Sequence, residues 1–137
     1  CQQQGGELIW QSPLCRVVLV DDPYYPGFCR VILNRHEKEM TDLPQAESEQ
    51  IMKVVFAVER VLRQLLQPEK INLASFGNMT PHVHWHVIAR FDWDSHFPAP
   101  VWAAPQRARA YEREAEVAAQ LPAVEALLRQ QLESWAA

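Results

Sequence analysis

The sequence is poor in cysteine, in long apolar runs and in surplus positive charge, and each shortage removes a class of function. Its three cysteines, Cys1, Cys15 and Cys29, are odd in number and far apart, whereas a small secreted domain stapled by disulfides carries more. A reducing, cytoplasmic setting is the expectation. The apolar runs, such as Val17 to Val20 and Val31 to Leu33, are strand-sized and well short of the roughly 20 residues that cross a bilayer. Lys and Arg number 13 against 17 Asp and Glu, a formal charge of −4. That balance leaves no basic field to hold a nucleic-acid backbone. No internal repeat or low-complexity stretch is present. The chain starts at Cys1 with neither a methionine nor a charged-then-apolar leader, as a trimmed chain would. Were a Cys-x-x-Cys to lie across such a start, Cys1 would supply half of a structural zinc site.

What remains, 137 residues with 48% hydrophobic content, suits one domain with a real core. We expect a single domain over 1–137, with its core at about 7–102 and a C-terminal helical extension at about 107–135. Glu7 to Trp10 and Cys15 to Val20 read as short strands joined by a tight connection through Pro13. Asp21 to Gly27 holds too many turn formers to continue a strand, and Phe28 to Leu33 resumes the β pattern. From Pro44 to Gln67 the period changes to about 3.6, with Ile51, Val54, Val55, Val58, Val61, Leu62, Leu65 and Leu66 in one stripe. Pro44 suits a first helical turn, and Pro68 closes the far end. Ile71 to Phe76 and Val83 to Arg90 read as two more strands across a compact turn at Gly77 to Pro81. Phe91 to Gln106 has no period and reads as an ordered loop laid over other surface. Arg107 to Trp135 returns to helix, broken near Pro122. The fold class is therefore α+β: a mainly antiparallel sheet of about five strands, one long helix packed on it, and a helical tail.

Chemistry concentrates in Pro81-His82-Val83-His84-Trp85-His86-Val87-Ile88. Three imidazoles alternate with apolar residues at the period of a strand, so His82, His84 and His86 share one face with neighbours about 7 Å apart, and Val83, Trp85 and Val87 point to the core. Such a face can do acid-base or nucleophilic work, or hold a metal with a further ligand from elsewhere, or simply be polar. No acidic general base lies within the motif, which disfavours a metal-dependent hydrolase.

The segment His82 to Ile88 resembles the His-x-His-x-His-x-x signature of the histidine triad family, in which x is hydrophobic. The resemblance extends over roughly Glu7 to Trp102: a strand ending in acid, a Pro26-Gly27 turn, a strand leading to Arg35-His36, one long helix, then the triad strand. It implies a nucleotidyl hydrolase or transferase that needs no cofactor and acts on a nucleoside phosphoramidate, a dinucleoside polyphosphate or a related conjugate. His84 matches the nucleophile that forms a nucleotidyl-histidine intermediate, with His82 and His86 beside it donating hydrogen bonds. Asn78 matches a position whose amide serves a leaving-group or phosphate oxygen, and a tight turn at Gly77-Asn78 is the other reading of it. Asp21 and His36 are the nucleotide-binding candidates. Asp21, rather than Asp22, would accept the ribose hydroxyls, and His36 would hold the triad's orientation.

Two departures from the family stand out: the approach to the triad is shortened to Phe76 to Pro81, and Met79 replaces a common hydroxyl residue. They motivate an alternative, a nucleotide sensor with little turnover. A homodimer is expected, since family members commonly pair and five tryptophans leave aromatic surface for an interface.

Overall fold

The computed structural model describes residues 5–134. Five strands form one sheet among these residues: β1 (Glu7–Gln11), β2 (Cys15–Leu19), β3 (Cys29–Leu33), β4 (Lys70–Ala74) and β5 (His84–Arg90), in the order β1-β2-β3-β5-β4. Every pairing is antiparallel. The long helix α1 (Gln45–Leu66) follows a short 3₁₀ turn at Met40–Asp42, and α2 (Tyr111–Ala118) and α3 (Leu121–Glu133) close the chain. Among the described residues no helix is long and apolar enough to cross a membrane.

The expected stripe is the buried face of α1: Ile51, Val54, Val55, Val58, Val61, Leu62 and Leu66 are all buried, with Leu65 packed at the margin. Pro44 sits one place outside the helix, at the N-cap, where its extended backbone lets its carbonyl accept the N–H groups of Glu47 and Ser48. At the other end Gln67 turns left-handed (φ 50°), closing its N–H onto the Arg63 carbonyl before Pro68 forbids another turn. Cys15, Val17 and Leu19 of β2, Cys29, Val31 and Leu33 of β3, and Val87 and Ala89 of β5 meet α1 and α3 in one core. The Pro26-Gly27 turn approaches α1 so closely that a Cβ on Gly27, whose φ is +93°, would stand 2.9 Å from Leu66 Cδ1.

The tail departs from the expected bounds. Arg107 is not helical because its Nη1–H groups serve the carbonyls of Asp94 and Phe97 at 2.6 and 2.7 Å, which makes it part of the preceding loop. The helical break expected near Pro122 falls at Ala119 and Gln120, and Pro122 itself occupies the first turn of α3, where a missing N–H costs nothing. Trp135 lies outside the described residues.

With the helices on one side, the other face of the sheet carries the opposite parity: Arg16, Val18, Arg30, Ile32, His84, His86, Ile88 and Arg90. One end of it is covered by a small cluster of Tyr25, Phe28 and Ile88 with Val20 and Val101. The loop after β5 is thereby laid back over the sheet, as its lack of period suggested.

Candidate active site

Strand pairing draws two rows across the open face. Arg16 lies opposite Ile32, and Ile32 opposite His84; Val18 lies opposite Arg30, and Arg30 opposite His86. Above them opens a cleft of about 680 Å³, walled further by Gly5, Phe76, Asn78, Thr80, His82 and Trp102. The His84 and His86 rings stand edge to face, centroids 5.1 Å apart. Phe28 meets His86 edge-on at 5.3 Å, and Phe76 meets Trp102 edge-on at 4.9 Å at the mouth.

Hydrogen-bond partners assign the protons. Nδ1 of His84 is 2.6 Å from the His82 carbonyl, an acceptor, so Nδ1 carries the hydrogen and Nε2 keeps its lone pair. His82 is nearly inaccessible, and its Nε2–H donates to the Leu33 carbonyl at 2.5 Å. Its Nδ1 then accepts, at 3.4 Å, from Nδ1–H of His36. His86 accepts the Nε–H of Arg30 at its own Nδ1, 3.4 Å away, which leaves its proton on Nε2. Burial first, then the charge of Arg30 and that of His84, push the His86 pKa down to about 4. It is a neutral hydrogen-bond donor at neutral pH.

Residues 2–93 match the HIT domain family. The chain belongs to the histidine triad family. A histidine triad protein of Bradyrhizobium japonicum is 29% identical, with a TM-score of 0.70 over 90% of both chains. One from Marinobacter aquaeolei is 27% identical, with a TM-score of 0.71 over 90% of this chain and 91% of the other. The AP-4-A phosphorylase of Mycobacterium tuberculosis is 29% identical over 100 residues, 69% of this chain and 51% of that protein. The chain thus spans about half the length of the curated relative it matches.

Within this histidine triad fold, the expected site residues separate into three groups. His84, His86 and Asn78 line the cleft together. His82 lines it as well but stands before β5, not in it. Its own N–H is turned to Thr80 and that of Val83 to Glu37, so the strand starts at His84, one residue later than expected. His36 is exposed at the rim against His82. Asp21 is not brought to the triad. It lines a separate hollow with Glu7, Val20, Pro23, Tyr111 and Glu114. Val83 and Val87 are buried as expected, while Trp85 is half-buried against the core with its Nε1–H toward Met40 Sδ at 3.5 Å.

Arg16, Arg30, Phe76 and Trp102 were missed from the sequence. For the two arginines a signal existed: each alternates with apolar residues in a predicted strand, so each must leave the core. Trp102 had none, because it reaches the cleft from a loop without period. Among the described residues no group of three or more His, Cys, Asp or Glu side chains is placed to hold a metal ion. Cys1, the basis of the zinc expectation, lies outside the described residues.

Proposed function

We propose that this protein is a nucleotidyl hydrolase or transferase that cleaves a nucleoside phosphoramidate, dinucleoside polyphosphate or related nucleotide conjugate through a nucleotidyl-histidine intermediate. One observation carries the reading: His84 donates Nδ1–H to the His82 carbonyl at 2.6 Å, which leaves Nε2 as the nucleophile in the cleft. In the first step an Nε2–P bond forms, and the leaving group departs with its electron pair and takes a proton from solvent. Bonding to phosphorus makes the ring cationic, and the Nδ1–H bond to the carbonyl strengthens as that happens. His86 Nε2–H and the Asn78 amide serve the phosphoryl or leaving-group oxygens. Water then attacks phosphorus, the Nε2–P bond breaks to restore neutral His84, and the water's proton passes to solvent. The name of the mycobacterial relative, AP-4-A phosphorylase, supports chemistry on a nucleotide phosphate.

We take the protein to act as a single-domain homodimer in the cytoplasm. The open edge of β4 and the half-exposed Phe56 on α1 offer surface for pairing, and Cys15 and Cys29 are buried free thiols, which suits a reducing setting. Incubation with adenosine 5′-phosphoramidate and with diadenosine tetraphosphate tests the activity. Release of mononucleotide supports it; nucleotide binding without release would overturn it in favour of a sensor.

A further inference from the structure

The triad cleft is cationic in a chain whose net charge is −4. Its lining holds two guanidinium groups, Arg16 and Arg30, and no carboxylate among the described residues. Arg30 is half-buried. It gives Nε–H to His86, gives Nη1–H to the Gly5 carbonyl at 3.1 Å, and lies 5.6 Å from the Phe28 ring centre. None of the ion pairs among the described residues involves it. Arg16 gives Nη1–H to Asn34 Oδ1 at 3.3 Å. Burial lowers the pKa of both groups, and a bound anion would offset the cost of withholding the Arg30 charge from water.

Position separates these charges from the reacting phosphorus. Arg30 stands one strand from β5 and Arg16 two strands away, about 10 Å from His84 at the usual strand spacing. The two are diagonal neighbours across β2 and β3, roughly 7–8 Å apart in the backbone, and both line the same cleft.

We propose that Arg16 and Arg30 form a subsite for a second anionic group of the nucleotide, a phosphoryl group other than the one His84 attacks. The inference rests on the nucleotidyl-transfer reading above and narrows its substrate class. The second anion belongs either to a polyphosphate leaving group or to a phosphorylated ribose, and the two sources are separable.

Calorimetric titration with inorganic tripolyphosphate tests the subsite without catalysis. The wild type should bind it with an affinity that falls as salt rises, and Arg16→Gln/Arg30→Gln should bind about tenfold more weakly or worse. Equal affinity overturns the proposal. Because Arg16 is nearly buried and its loss can unsettle the sheet, Arg30→Gln and the charge-keeping Arg30→Lys are measured beside it. Gln should weaken binding by about tenfold and Lys by less; wild-type affinity in both overturns the proposal.

Kinetics then identify the source through three substrates: adenosine 5′-phosphoramidate, its 3′-phosphorylated analogue, and diadenosine tetraphosphate. In Arg30→Gln, kcat/KM relative to the plain phosphoramidate should fall about tenfold for whichever substrate places its second anion in the subsite. An equal fall for all three would mean that Arg30 acts at the attacked phosphorus or on His86, and overturns the proposal. A wild type that turns over none of them, yet binds tripolyphosphate through the arginines, defeats the nucleotidyl-transfer reading and leaves the anion subsite standing.

Discussion

Asp94 receives two hydrogen bonds from the Arg90 guanidinium, Nε to Oδ2 at 2.9 Å and Nη2 to Oδ1 at 3.1 Å, with the side chains only 3% and 1% exposed. The same guanidinium holds Asn72 Oδ1 and the Ala99 carbonyl, each at 2.8 Å, and Asp94 collects the N–H groups of Phe91, His96 and Phe97. Burial works against the Asp94 charge, yet the bond from Arg90 and those from the backbone hold its pKa below the usual carboxylate value. Together with the hydrogen bond between Tyr25 Oη and His96 Nδ1, this pair ties the end of β5 to the loop that delivers Trp102.

Asp94→Ala should therefore destabilise the protein by about 3–5 kcal/mol, because it leaves Arg90 buried with its charge uncompensated. Urea unfolding checks the magnitude. Limited proteolysis should show new cleavage confined to residues 91–110, and a loss under about 1 kcal/mol would place the pair among surface-like bridges.

His84→Asn should lower turnover by more than about a thousandfold, since an amide has no lone pair free to attack phosphorus, while the melting temperature stays near that of the wild type. Rapid quenching with labelled substrate should trap acid-labile phosphorus on the wild type and none on the variant. Near-wild-type turnover in the variant would end the covalent mechanism.

The His86 ring should titrate at about 4, against an ordinary value near 6.5. The folded value is the depressed one, so the unfolded chain takes up the proton first as pH falls. The contribution to stability is complete above about 6.5 and drains away between there and about 4. Ring-proton chemical shifts followed by NMR give the midpoint directly. In Arg30→Gln the midpoint should move up, because the neighbouring positive charge is the second cause after burial.

Asp21→Ala should change KM by less than about twofold, because its hollow is separate from the triad cleft. A tenfold rise would restore Asp21 to the ribose role that the family resemblance implies.

Legibility followed the range of the interactions. The burial stripe of α1 and the outward alternation of His84 and His86 are local periodicities, and a strand or helix enforces them wherever it packs. The nearness of Arg16 and Arg30 to the histidines depends on β3 lying between β2 and β5, a long-range pairing that no window of sequence contains. The place of Asp21 was less legible for a related reason: it sits just past the end of β2, where strand parity no longer dictates a side. The loop after β5 is ordered by side chain to backbone bonds from Asp94 and Arg107, which have no period to detect. His82 stands before the strand because two loop hydrogen bonds take its N–H and that of Val83, and its ring donates to a neighbouring residue, the Leu33 carbonyl, from the cleft wall.

The two faces of the sheet are set apart by nothing more than odd and even positions, and this shapes how the gene can vary. A slip of the whole of β5 by one residue would rotate the imidazoles against α1 and bring Trp85, Val87 and Ala89 to the cleft, ending stability and chemistry together. Codon exchanges at the half-buried Arg30, by contrast, touch only the open side. Lineages can revise what the cleft accepts there while the helical side, and with it the ability to fold, is inherited unchanged.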